Sequence, residues 1–147
     1  DPRINQMDRT NVRSLTVEDL GEQVDLVVSD LSFISLVTVL PALSNFCLQT
    51  GDMVLMIKPQ FEVGKEKLGK NGVVRDPELH IEAVYKVTSA AAALGWGTKS
   101  LAPSPLPGPA GNIEYFCWLK TTSHEPGLES IRAVVAQRPQ VKEGIAP

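Results

Sequence analysis

The chain has 147 residues, 43% of them hydrophobic and 21% charged, with a formal net charge of −3. That length supports one domain with a real core, and the balance excludes both a disordered chain and a strongly basic nucleic-acid clamp. No apolar stretch reaches the roughly 18 residues of a membrane span, so the expectation is a cytoplasmic protein with no membrane partner.

In chain order, residues 1–23 are the least regular. "RINQMDRTNVRSL" suggests a short strand near Arg3 to Met7 and a polar turn at Arg9 to Asn11. "VDLVVSD" (Val24 to Asp30) is a short apolar run ending in an acid. A helix-like spacing follows, with Leu36, Val39, Leu40 and Leu43 on one side; Pro41 is expected to start or kink that helix, and Gly51 to stop it. Met53 to Ile57 is a second apolar run, ending in Lys58 and Pro59. Unbroken apolar runs of this length suit parallel strands covered on both faces. Asp76-Pro77-Glu78 is a helix start, with an acceptor at the cap and proline at the first helical position. That helix should reach about Leu94, burying Val84, Val87, Ala91 and Leu94, with Gly95 ending it. A strand near Thr98 to Leu101, a proline-rich connection "APSPLPGPAGN" and a last strand from Glu114 to Thr121 complete the pattern. Leu128 to Gln137 reads as a peripheral helix, and Pro139 onward as a tail. Alternation of strands and helices predicts an open α/β sheet. Trp96, Phe116 and Trp118 are expected in the core. Cys47 and Cys117 lie in apolar segments, which suits buried thiols. No Cys/His cluster has metal-ligand spacing, so no metal site is expected.

"GKEKLGKN" (Gly64 to Asn71) fits the glycine and lysine spacing of a phosphate-binding loop and then departs from it. Asn71 stands where Ser or Thr would meet magnesium, and no helix opens directly after the loop. Its lysines have another use. Lys65, Lys67, Lys70 and Arg75 form a locally basic segment, which can meet RNA even in an acidic chain; composition alone equally allows a solvated lid.

Asp30 and Lys58 each cap the C-terminal end of an apolar strand, where ligands bind in open α/β sheets. The strand from Glu114 follows a short connection, so it should run antiparallel and bring Glu114 to the same rim. Three charged residues from three strands then converge. A lysine between carboxylates is firmly positioned, and a lysine brought toward neutrality can take a proton from a hydroxyl.

"DLVVSDLSFISL", "IKPQFEVGKEKLGKNGVVRDP" and "PSPLPGPAGNIEYFCWL" resemble the TlyA (hemolysin A) family of FtsJ-like RNA 2′-O-methyltransferases, over about residues 1–121. The resemblance implies a Rossmann-like methyltransferase sheet, mostly parallel with the last strand antiparallel. It implies S-adenosylmethionine as methyl donor, and 16S and 23S ribosomal RNA, or ribosomal subunits, as partner. The family uses a Lys-Asp-Lys-Glu set. Asp30 matches its aspartate, Lys58 its second lysine and general base, and Glu114 its glutamate. Asp30 would also help to hold the donor, Glu114 would align the target ribose, and Asn11 would touch the adenine. Lys65, Lys67, Lys70 and Arg75 are the RNA-binding candidates.

The family's first lysine, its glycine-rich turn and its S4 RNA-binding domain have no counterpart in residues 1–147. The expectation is therefore that residues 1–121 are the C-terminal portion of a methyltransferase domain lacking its first two strands, and 122–147 a peripheral helix and tail. Such a fragment should leave Val24 to Asp30 as an open sheet edge able to self-associate, and should bind the donor poorly alone. The alternatives are a catalytically inactive RNA-binding half-domain and a hemolytic membrane activity. The latter is disfavoured because there is no spanning segment and no basic amphipathic helix.

Overall fold

A computed structural model describes residues 1–108 and 110–139; the expected tail beyond Pro139 lies outside them. The elements run α1 (Val17–Leu20), β1 (Val24–Ser29), α2 (Leu36–Phe46), β2 (Cys47–Ile57), α3 (Pro59–Glu62), α4 (Pro77–Ala93), β3 (Gly97–Pro103), β4 (Tyr115–Lys120) and α5 (Leu128–Ala136).

Four strands form one sheet in the order β1-β2-β4-β3. β1 pairs parallel with β2, and β4 pairs antiparallel with both β2 and β3. Three strands therefore share a direction, and the last one slots between two of them in reverse, as the short connection predicts. No strand forms at Arg3 to Met7. β1 is the edge strand on that side, and its outer ladder is left unpaired among the described residues.

The pleat sorts side chains by face. Val27, Met53, Leu55, Ile57, Tyr115, Cys117 and Leu119 are buried in one cluster with residues of α2, α4 and α5. Ile131 and Val135 bring α5 into this same core. Alternate residues point to the opposite face, where Leu26, Val28 and Phe116 stay exposed. Trp96 is buried, but Phe116 is exposed and Trp118 only half-buried. The expectation of core positions for these two is corrected: they sit on the uncovered face.

Two further positions are decided by local physics. Pro41 lies inside α2, so of its two expected roles, starting or kinking the helix, the first is excluded. Its ring faces solvent, where water can satisfy the freed carbonyl one turn back. The burial of Leu36, Val39, Leu40 and Leu43 offsets the roughly 3 kcal/mol that an interior proline costs. Gly51 does not stop α2; it lies within β2. A Cβ there would stand 2.6 Å from the Asp25 carbonyl oxygen, at the bulge where the β1–β2 register shifts between Val24 and Leu26. α4 starts at Pro77 as expected, with Asp76 Oδ1 accepting from the Glu78 amide at 2.9 Å. Its stripe of Val84, Val87 and Ala91 is buried, but Leu94, at the cap, is exposed.

Candidate active site

Strand register assembles the site. Ser29 lies beside Leu55 and Ile57 beside Tyr115, so the residues just past β1 and β2, and just before β4, share one rim. These are Asp30, Lys58 and Glu114. Lys58 is extended (φ −113°, ψ 100°) because it precedes Pro59, whose ring disfavours the helical region for its neighbour. Pro59 then opens the single turn α3.

Lys58 Nζ stands 2.7 Å from Asp30 Oδ1 and 3.9 Å from Glu114 Oε1. It also donates to Ser32 Oγ at 3.2 Å. The Lys58 and Glu114 side chains are only 11% and 9% exposed, whereas that of Asp30 is 68% exposed. A protected amine is thus held between one sheltered and one open carboxylate. Gln60 Nε2 donates to Glu114 Oε1 at 3.1 Å. Gly108 closes over the same oxygen: a Cβ there would stand 2.9 Å from it, so a side chain at 108 would crowd the carboxylate.

Lys58, Gln60, Gly108 and Glu114 border a cavity of about 430 Å³, whose lining also includes Ser32, Phe33, Asn71 and Asn112 but not Asp30. Phe33 has φ 62° and is 91% exposed. Its ring lies 5.2 Å from that of Phe61, centroid to centroid, at a tilt of 48°. A bulky residue with positive φ and an exposed ring is an outlier of the kind that collects at functional sites.

Glu62 is buried and works from behind. Its carboxylate accepts from Ser35 Oγ and from the Leu36 amide, both at 2.6 Å, and pairs with Lys86 at 3.6 Å. No acid lies in the first turn of α2, so Glu62 supplies from another segment the negative charge that a helix N-terminus favours. This ties the turn after Lys58 to the helix after Asp30.

The other predicted residues divide. Lys65, Lys67, Lys70 and Arg75 are exposed on the loop that walls one side of the cavity. Lys67 is neutralised by Glu82 at 2.7 Å. The loop folds as two 3-10 turns, Lys65–Lys67 and Lys70–Gly72, rather than opening a helix. Asn11 is exposed and caps the turn Val12–Ser14, its Oδ1 accepting from the Arg13 amide at 3.0 Å; it does not line the cavity. Sequence reasoning missed Phe33, Gln60, Phe61, Glu62 and Asn112. Four of them lie within four residues of Asp30 or Lys58, a closeness that could have marked them.

Residues 1–121 match the model of the FtsJ-like methyltransferases. The chain belongs to that family. The FtsJ-like stretch is 54% identical over 121 residues to the 16S/23S rRNA (cytidine-2′-O)-methyltransferase TlyA of Mycobacterium tuberculosis, covering 82% of this chain and 45% of that protein. It is 38% identical over 110 residues to the 23S rRNA (cytidine-2′-O)-methyltransferase TlyA of Campylobacter jejuni, covering 74% and 42%. Among solved structures it is similar to a protein of Streptococcus thermophilus described as a candidate hemolysin. The TM-score there is 0.86 at 39% identity, covering 93% of this chain and 50% of that one. The chain thus spans less than half the length of these curated relatives. No helix among the described residues is long and apolar enough to cross a membrane.

Proposed function

We propose that this FtsJ-like chain carries the catalytic rim of an S-adenosylmethionine-dependent ribosomal-RNA ribose 2′-O-methyltransferase. The observation that carries the reading is the single rim shared by Asp30, Lys58 and Glu114, with Lys58 Nζ 2.7 Å from one carboxylate and 3.9 Å from the other. Its placement beside a cavity gives those groups something to act on.

The residues present suit a polar donor at the end of β1. Ser29 Oγ is buried with no hydrogen-bond partner among the described residues, and Asp30 next to it is largely open. These two would hold the donor, which when bound supplies an activated methyl group. Lys58 takes the proton of the ribose 2′-hydroxyl. For that it must present the free amine. Asp30 and Ser32 aim the amine. Glu114, held by Gln60, accepts a hydrogen bond from the ribose and fixes its angle, and such positioning is worth several kcal/mol of barrier. Phe33 and Phe61 offer a ring face on which the nucleotide's base can stack. Lys65, Lys70 and Arg75 meet phosphates.

The chain works, in this proposal, as part of a longer polypeptide in the cytoplasm. The bare face carrying Leu26, Val28 and Phe116 and the outer edge of β1, unpaired among the described residues, support that reading, since sheets with parallel strands are ordinarily covered on both faces. Self-association through that edge would follow when the chain is isolated. The test is methyl transfer to ribosomal subunits by the full-length protein with Lys58→Ala. Loss of transfer with RNA binding retained supports the proposal; unchanged transfer refutes it.

A further inference from the structure

The backbone of Val74 is held at both its N–H and its carbonyl by side chains. Its N–H donates to Asn112 Oδ1 at 2.9 Å, and its carbonyl oxygen lies 2.8 Å from His80 Nε2. Asn112 Nδ2 donates in turn to the Gly72 carbonyl at 3.1 Å. The second ring nitrogen of His80 lies 2.9 Å from the Tyr115 hydroxyl. A carbonyl can only accept, so Nε2 carries the proton and Nδ1 receives the Tyr115 O–H. His80, Asn112 and Tyr115 are all deeply buried, the most open of them, Asn112, only 4% exposed. Burial holds the His80 imidazole below its ordinary pKa and raises the Tyr115 phenol to about 12, so both stay neutral and the proton pattern is fixed.

This network joins three elements: the end of the basic loop, α4 through His80, and β4 with its approach. Asn112 lies two residues before Glu114 and Tyr115 one after it. Asn112, Asn71 and Gly72 also line the cavity. Below the loop, Val63, Val74 and Ala83 form a small separate core packed by Leu68 and Leu79.

We propose that Asn112 and His80 are positioning residues that staple the basic loop to the strand carrying Glu114, so that the RNA-facing wall of the cavity is set before RNA arrives. The inference rests on the methyltransferase reading for the identity of the ligand, but not for the mechanics. A buried network of this kind acts as a unit, because removing one member leaves its partners desolvated and unpaired. Loosening the staple lets the wall and its lysines move relative to Glu114. The cost then falls on capture of RNA rather than on the proton transfer at Lys58.

The experiment uses the full-length protein with Asn112→Ala, His80→Phe and Tyr115→Phe, the last of which leaves both bonds to Val74 in place. Amide hydrogen exchange over residues 65–76 should quicken about tenfold or more in the first two, the effect of removing one buried hydrogen bond. Protection of 77–93 should hold, and Tyr115→Phe, which keeps both bonds to Val74 but leaves His80 Nδ1 unpaired, should quicken loop exchange less than either of them. In methyl transfer, KM for ribosomal RNA should rise about tenfold while kcat stays within about twofold. Wild-type exchange in the loop, or an unchanged KM with only a lower melting temperature, overturns the proposal. If His80→Phe does not fold, Asn112→Ala decides. If the wild type transfers no methyl group, the methyltransferase reading fails, and loop exchange with filter binding of a ribosomal-RNA fragment still decides the staple.

Discussion

The paired strands β2 and β4 carry a lysine–carboxylate cluster at each end, and the two clusters are built to different ends. At one end Asp52 accepts from Trp118 Nε1 at 2.6 Å, and Lys120 Nζ reaches both its oxygens at 2.9 Å. Lys99 lies 4.0 Å over the Trp118 ring. At the other end Lys58 has similar partners, but bonding capacity is left over. Asp30 is 68% exposed, and Ser29 Oγ and Gln60 Oε1 are buried without partners among the described residues. The same ion-pair chemistry is a clasp where the groups satisfy one another, and a candidate site where bonding capacity is left over beside a cavity that Lys58, Gln60 and Glu114 line.

Exchanging the two lysines sharpens the comparison most. Lys58→Ala should cut methyl transfer by the full-length protein by roughly 100-fold or more, the range for losing a general base, while its melting temperature barely moves. Lys120→Ala should do the reverse, lowering thermal stability with transfer intact. Equal effects in a side-by-side assay would dissolve the distinction.

A next, smaller effect belongs to the cavity rim. Phe33→Ala removes one stacking face and should weaken ribosomal-RNA binding by roughly 1–3 kcal/mol, with little change in folding because the ring is exposed. Filter binding checks it. Smaller again, Lys65→Ala or Lys70→Ala should weaken RNA binding modestly and reduce the salt slope by about one for each phosphate no longer neutralised. Lys67→Ala should do less, since Glu82 already neutralises Lys67.

The smallest effect is a pH signature at the clasp. Hydrogen bonding from Lys120, then from Trp118, holds the Asp52 carboxyl below its ordinary value of 3.8. A depressed carboxylate stabilises the fold fully above the unfolded value and loses that contribution as pH falls through the folded one. Asp52→Asn should therefore melt lower than wild type at neutral pH, and the gap should close in acid below pH 3.8. Thermal melts at a series of pH values would read this; a gap that persists in acid would contradict it.

The convergence at the candidate site was legible because Asp30 and Lys58 end apolar runs and Glu114 opens one, and a strand's direction fixes which rim each end reaches. The chain order of strands and helices was legible for the same reason. Gln60 and Asn112 were not, because their partners Glu114 and Val74 lie tens of residues away and only folding brings them together. Gly51 misled because glycine serves equally to stop a helix and to admit a neighbouring backbone; the bulge beside Asp25 decides between them. Phe116 and Trp118 misled because alternation shows which residues share a face, not whether anything covers it.

The central claim is that one ribose is served by three strand ends at once. A structure of the full-length protein with a ribosomal-RNA fragment tests it most directly. The account predicts the target O2′ at about 3 Å from Lys58 Nζ, with Glu114 on the same ribose and Asp30 on the far side of the amine. An O2′ seated elsewhere, with Lys58 and Glu114 contacting different nucleotides, would contradict it.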